Sequence, residues 1–124
     1  MTYLDTHVVL WLSEGNIHAL SEFAGKQIQE GDLLVSPIVI LEMEYLHEIR
    51  RIALSAAKVL EVLSRDLGLR VCDLPFQRVI EKALPLKWVR DPFDRLIVAQ
   101  ADANSSPLVT KNLAIRQHYA RAVW

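Results

Sequence analysis

Short apolar runs that alternate with longer amphipathic ones constrain this chain more than any other feature. Tyr3-Leu4, Leu33-Leu34-Val35, Leu69 to Leu74 and Leu108-Val109-Thr110 read as brief strands separated by segments of helical periodicity. Strand alternating with helix predicts an α/β fold, a parallel sheet covered by helices on both faces. In such sheets ligands bind outside the carboxyl ends of the strands, so chemistry is expected there.

The helix boundaries carry their own signals. A first helix, Thr6 to Leu12, follows Asp5. Ser21 is the N-cap of a helix reaching Glu30, with Gly31 just past its end. Ser36-Pro37 opens a helix to about Ile49, serine as cap and proline at the first helical position. Ser55 to Leu67 is stopped by Gly68, and Pro75 starts a short helix to about Leu84. Asp91-Pro92 opens another to about Asn104, Leu113 to Tyr119 is the last, and Ala122 to Trp124 is a closing strand.

At 124 residues with no repeat or linker, residues 1–124 are expected to form one domain, which excludes a two-lobed enzyme with a cleft between lobes. The charges nearly cancel, 14 basic against 15 acidic residues, so this is not a polybasic nucleic-acid binder. Nucleic acid remains open as a substrate reached through a local patch and a metal. Cys72 is the one cysteine, so no internal disulfide and no Cys/His zinc pattern is expected. No basic region followed by an apolar run opens the chain, and the longest apolar stretch, Leu33 to Leu41, is broken by Ser36-Pro37. The expectation is a cytoplasmic protein without a membrane segment.

The polar residues fall at the predicted strand ends. Asp5 closes the first strand, Glu42 lies inside the helix after the second, Asp94 begins the helix before the fourth, and Asn112 follows Thr110 by two residues. Glu42 has Ile38, Val39, Tyr45 and Leu46 one helical turn away, which predicts an inward-facing carboxylate, whereas Glu44 and Glu48 read as the solvated face. Each position also has an ordinary structural explanation. Glu42 is explained by a salt bridge to a buried cation. Asp91 and Asp94 have the spacing of a capping box, Asp5 is explained as a cap of the first helix, and Asn112 as a cap of the last. If the four converge on one edge, the site is all oxygen, which suits Mg²⁺ or Mn²⁺ and phosphodiester hydrolysis.

Other chemistry is missing its residues. There is no Gly-x-Ser-x-Gly elbow and no glycine-rich phosphate loop, and His47-Glu48 lacks the second histidine of a zinc-protease motif because position 51 is Arg. His7, His18 and His118 have no ligand spacing. Cys72 reads as a small core residue, and Trp11, Trp88 and Trp124 as packing anchors.

Leu4-Asp5-Thr6-His7 with Leu10-Trp11-Leu12, Ser36 followed by Glu42, the block Arg90 to Ala101, Leu108-Val109-Thr110 and a final Val123-Trp124 resemble the PIN-domain family. The chain looks most like the VapC-type toxins of bacterial toxin–antitoxin pairs. That resemblance runs along nearly the whole chain, and the Asp91–Ala101 block is its most specific part. It implies a three-layer α/β/α fold, a central parallel sheet of four to five strands, and Mg²⁺- or Mn²⁺-dependent endoribonuclease activity. It also implies a homodimer and neutralisation by a VapB-like antitoxin. Carried over by position, Asp5, Glu42 and Asp94 would hold the metal, with Asn112 completing the catalytic set. Asp91 would be a supporting acid or only the cap, and Thr6 and Thr110 hydroxyl support. Arg95, Lys111 and Arg116 would touch the RNA phosphates or be plain surface charge.

One departure stands out. The family usually has Asp two residues after the fourth-strand Thr, and Asn112 keeps an oxygen there but loses the charge. Two alternatives follow: a PIN-like binding module with weakened catalysis, and a receiver-type signalling domain. The latter expects an adjacent acidic pair after the first strand, where this chain has Asp5-Thr6-His7. Ile49, Ile52, Leu60 and Leu63 offer an apolar face for a dimer or for the core.

Overall fold

Residues 1–124 are described by a computed structural model. Strand β1 (Thr2–Leu4) is buried along its length and lies in the middle of a five-stranded sheet of order β3-β2-β1-β4-β5. The others are β2 (Leu33–Val35), β3 (Arg70–Val71), β4 (Leu108–Val109) and β5 (Ala122–Val123). Every pairing is parallel, with Tyr3 opposite Leu34 on one side and Leu108 on the other. The strands are continuous apolar runs because the flanking helices cover them.

Seven α-helices connect and flank the sheet: α1 (Thr6–Ser13), α2 (Glu22–Glu30), α3 (Pro37–Glu48), α4 (Ala56–Leu67), α5 (Phe76–Ala83), α6 (Pro92–Ala103) and α7 (Leu113–His118). The chain steps outward from β1 to β2 and β3, then returns to the other side of β1 for β4 and β5. That reversal makes the carboxyl ends of β1 and β4 the switch point of the sheet, where a crevice opens.

Local chemistry sets the helix starts. Ser21, Ser36, Ser55, Asp91 and Asn112 each accept a backbone N–H from the first turn of the following helix. Gly68 ends α4 in the left-handed conformation, φ 69°. At Gly31 a Cβ would stand 2.8 Å from the Gln27 carbonyl oxygen, so only glycine fits the turn into β2.

The main core gathers Tyr3, Leu4, Val8, Val35, Met43 and Val98, while Val79, Ala83 and Ala99 join α5 to α6. Cys72 is buried, as expected of a small core residue, with its Sγ 3.1 Å from the Tyr3 hydroxyl. Buried Ser36 also donates to Gln100 Oε1 at 2.9 Å, while Gln100 Nε2 has no partner. Ser36→Ala removes the cap and leaves the whole Gln100 amide unpaired. The expected loss is about 2–3 kcal/mol in urea unfolding, and a loss below about 0.5 kcal/mol would contradict it.

Several expectations change. The third strand shrinks from Leu69–Leu74 to Arg70–Val71, an exposed edge with β2 as its one neighbour. Glu44 is not simply solvated: its Oε1 accepts the Ala56 N–H at 3.2 Å, tying α3 to the start of α4. The buried line of α3 is Val39 and Met43, while Tyr45 is 49% exposed, so Glu42 borders the core rather than facing into it. Leu63 belongs to the core and Ile49 to the surface, so the suggested apolar face divides between them. No helix is long and apolar enough to cross a membrane.

Candidate active site

Asp5 follows β1 directly and caps α1. Its Oδ1 accepts the Thr6 N–H at 2.8 Å and its Oδ2 accepts the Thr110 hydroxyl at 2.6 Å. The side chain is almost fully buried, so both oxygens are fixed at the crevice floor. Thr110 follows β4, and its Oγ1 also accepts the Asn112 N–H at 3.1 Å. Thr6, fully buried on α1, donates its hydroxyl to Glu42 Oε1. Two buried threonines thus orient two carboxylates.

Asp94 enters from the first turn of α6. Its N–H donates to Asp91 Oδ1 at 3.0 Å, so Asp91 is a genuine cap, while the Asp94 carboxyl group lines the crevice. Asp5, Glu42, Asp91, Asp94 and Asn112 share one cavity of about 470 Å³ with His7, Trp11 and Lys111. A groove of about 510 Å³ along α2 is slightly larger but gathers no such set of acids, so size does not choose the site.

The acids affect one another. Burial raises the Asp94 carboxyl group to about 7, helped by the charges of Asp5, Asp91 and Glu42. Burial also raises Glu42; the Thr6 hydrogen bond pulls it back and Asp5 pushes it up again. The ion pairs of the chain lie elsewhere, at Lys58–Glu61, Arg65–Asp66, Arg70–Asp32 and Lys82–Asp102. The salt bridge considered for Glu42 is therefore not made. Half-buried carboxylates without a basic partner, all presenting oxygen, suit a hard divalent cation. No three His, Cys, Asp or Glu side chains close into a finished metal cage, although the acids line one cavity.

The remaining candidates divide. Asn112 lines the cavity, yet its Oδ1 already accepts the Ile115 N–H at 3.0 Å as the cap of α7. Lys111 lines the cavity. Arg95 does not join it: its Nε donates to the Ala83 carbonyl at 2.9 Å and its terminal nitrogen to that of Leu84 at 2.8 Å. Its guanidinium closes the end of α5. Arg116 lies on exposed α7, beside a second groove. Sequence reasoning passed over His7 and Trp11 as site residues. Their placement one turn apart on α1, just after Asp5, is the signal that marks them.

Acids set at the switch point of a five-stranded parallel sheet narrow the field, and a family comparison decides it. The model of the PIN domain matches residues 2–120. The chain belongs to the PIN-domain family. Membership sets aside the receiver-type alternative. A PIN relative, Ribonuclease VapC22 of Mycobacterium tuberculosis (strain ATCC 25618 / H37Rv), is 36% identical over 122 residues, covering 93% of this chain and 89% of that protein. Two solved structures share the PIN fold. The Rickettsia felis VapBC2 structure, bound to a DNA fragment from their promoter, matches with TM-score 0.60 and 20% identity, covering 94% of this chain and 92% of that one. A toxin–antitoxin complex from Klebsiella pneumoniae matches with TM-score 0.66 and 18% identity, covering 100% and 97%.

Proposed function

We propose that this PIN-domain protein is a VapC-type toxin: an endoribonuclease that uses Mg²⁺ or Mn²⁺ and is neutralised by a VapB-like antitoxin. The reading is carried by the convergence of Asp5, Glu42 and Asp94 on one cavity, none of them held in an ion pair. The relative named Ribonuclease VapC22 and the two toxin–antitoxin structures support it. Residues 1–124 act as one domain in the cytoplasm, as a homodimer.

Asp5, Glu42 and Asp94 would hold the cation. When bound, the ion supplies activation of a water and neutralisation of charge developing on the phosphate. Thr110 and Thr6 keep the Asp5 and Glu42 oxygens aimed into the cavity. Asp94 must lose its proton to become a ligand, and Asp91 fixes the turn that presents it. Asn112 would offer the remaining lone pair of its amide oxygen to the ion, beside its capping bond. Lys111 stands at the rim for a substrate phosphate.

The direct test is cleavage of RNA by purified protein with Mn²⁺ or Mg²⁺ against chelator. Metal-dependent cleavage is expected; none from folded protein across several RNAs would overturn the reading. A second expectation concerns pH. Asp94 is raised in the folded state, to about 7, so in metal-free protein it stabilises the fold at low pH. That contribution is lost as pH climbs from the ordinary carboxylate range through about 7. A cation competes with the same proton. Saturating Mn²⁺ should therefore raise the melting temperature clearly above pH 7 and little near pH 5, and an equal rise at both would remove Asp94 from the ligand set.

A further inference from the structure

The acid cavity has a wall that the carboxylate chemistry does not use. His7 and Trp11 line it from α1, their ring centroids 6.2 Å apart and the rings inclined at 49°. Trp11 is 5.9 Å from Trp124, inclined at 56°. Lys111, in the same wall, carries its Nζ 6.0 Å from the Trp124 ring centroid. Trp124 also lines a neighbouring groove of about 440 Å³ with Phe23 and Arg116, where Phe23 is 52% exposed. Rings and cations thus continue from the carboxylates across two adjoining grooves.

Packing accounts for only part of this arrangement. Trp11 and Trp124 do rest against the core, as packing anchors should, but both remain partly open and His7 is exposed. Flat π-faces interleaved with Lys and Arg suit a polyanion with planar groups, which is the chemistry of a nucleic-acid strand. The acids repel a phosphate backbone, so attraction has to come from beside them. In a duplex each base is covered by its neighbours, and only an unpaired base can lie on an aromatic ring.

We propose that His7, Trp11 and Trp124 form a stacking wall that seats unpaired bases of single-stranded RNA beside the acids, with Lys111 and Arg116 on its phosphates. This rests on the ribonuclease reading of the same cavity and adds to it the residues that would seat the strand.

The test is fluorescence anisotropy with a labelled single-stranded RNA of about a dozen nucleotides. Every protein carries Asp94→Asn, so that binding is read without cleavage. Adding Trp11→Ala should weaken binding roughly tenfold, and Trp11→Phe should stay within about threefold. Trp11→Leu keeps apolar packing but no ring and should behave like Ala; its melting curve shows that it is folded. Lys111→Gln should lower the slope of log K on log salt by about one. The same RNA annealed to its complement should bind more weakly and ignore the Trp11 change. Folded Trp11→Leu binding the single strand as tightly as its parent, a duplex binding equally well, or no measurable binding of the single strand by the folded parent would each overturn the wall. The two readings fail separately. Wild-type protein that cuts RNA while Trp11→Leu still binds normally sinks the wall alone; Trp11-dependent binding without metal-dependent cleavage sinks the nuclease alone.

Discussion

Asp94→Asn is expected to abolish metal-dependent RNA cleavage and, at the same time, to make the metal-free protein more heat-stable at neutral pH. The two effects have one cause. Asp94 shares its cavity with Asp5, Glu42 and Asp91, and its ionised form is held there against burial and three like charges. The amide is nearly the same shape and keeps the backbone N–H that Asp91 accepts, so the start of α6 survives. What goes is a negative charge, which the free fold is better without and a divalent ion is worse without. Cleavage should fall by roughly a hundredfold or more, while the metal-free melting temperature above pH 7 rises by a few degrees and at pH 5 stays near the parent value. Loss of activity with loss of stability would point to a structural role. Parent-level cutting would remove Asp94 from the site.

Asn112→Asp should act in the opposite direction. Aspartate caps a helix as well as asparagine, so the bond to the Ile115 N–H is kept and α7 should start where it does. The added carboxylate gives the cavity another charge beside Asp5 and the Thr110 hydroxyl. Affinity for Mn²⁺, read by calorimetry, is expected to rise about tenfold or more, and the metal-free protein should melt a little lower. The change separates two readings of the natural asparagine. If cleavage by the parent is already strong and Asn112→Asp adds little, the amide oxygen suffices. If activity appears only with the aspartate variant, the protein as it stands is the weakened, binding-type relative.

The alternation of strand and helix was readable from the sequence because burial on both faces leaves unbroken apolar runs, and because serine, aspartate and asparagine announce helix starts. Ser21, Ser36, Asp91 and Asn112 cap as their positions suggest, and Ser55, read as the first residue of its helix, caps it from one position before. Strand-end logic also foresaw that Asp5, Glu42, Asp94 and Asn112 gather at one edge. Hidden from the sequence was which neighbour each face meets. Periodicity places Glu44 opposite the buried line of α3, but not at the first turn of α4, where it accepts a backbone N–H. Arg95 adjoins Asp94 in the chain and still turns to the end of α5, since successive helical residues point about 100° apart. Trp11 is apolar enough to read as core, and only the tertiary fold reveals that it also lines the acid cavity.

The central place of β1 also sets a clock. It precedes the other four strands in the chain, yet one of its two sheet neighbours, β4, is the fourth in sequence order. The Thr110 hydroxyl that fixes Asp5 lies 105 positions further along the chain. Contacts of such long sequence separation form late, because the intervening loop must close first. A nascent or prematurely terminated chain therefore carries Asp5 without its hydroxyl, Glu42 without Asp94 beside it, and no crevice between β1 and β4. The acid cavity therefore closes only after the segment carrying β4 has docked beside β1, although its first carboxylate stands at residue 5.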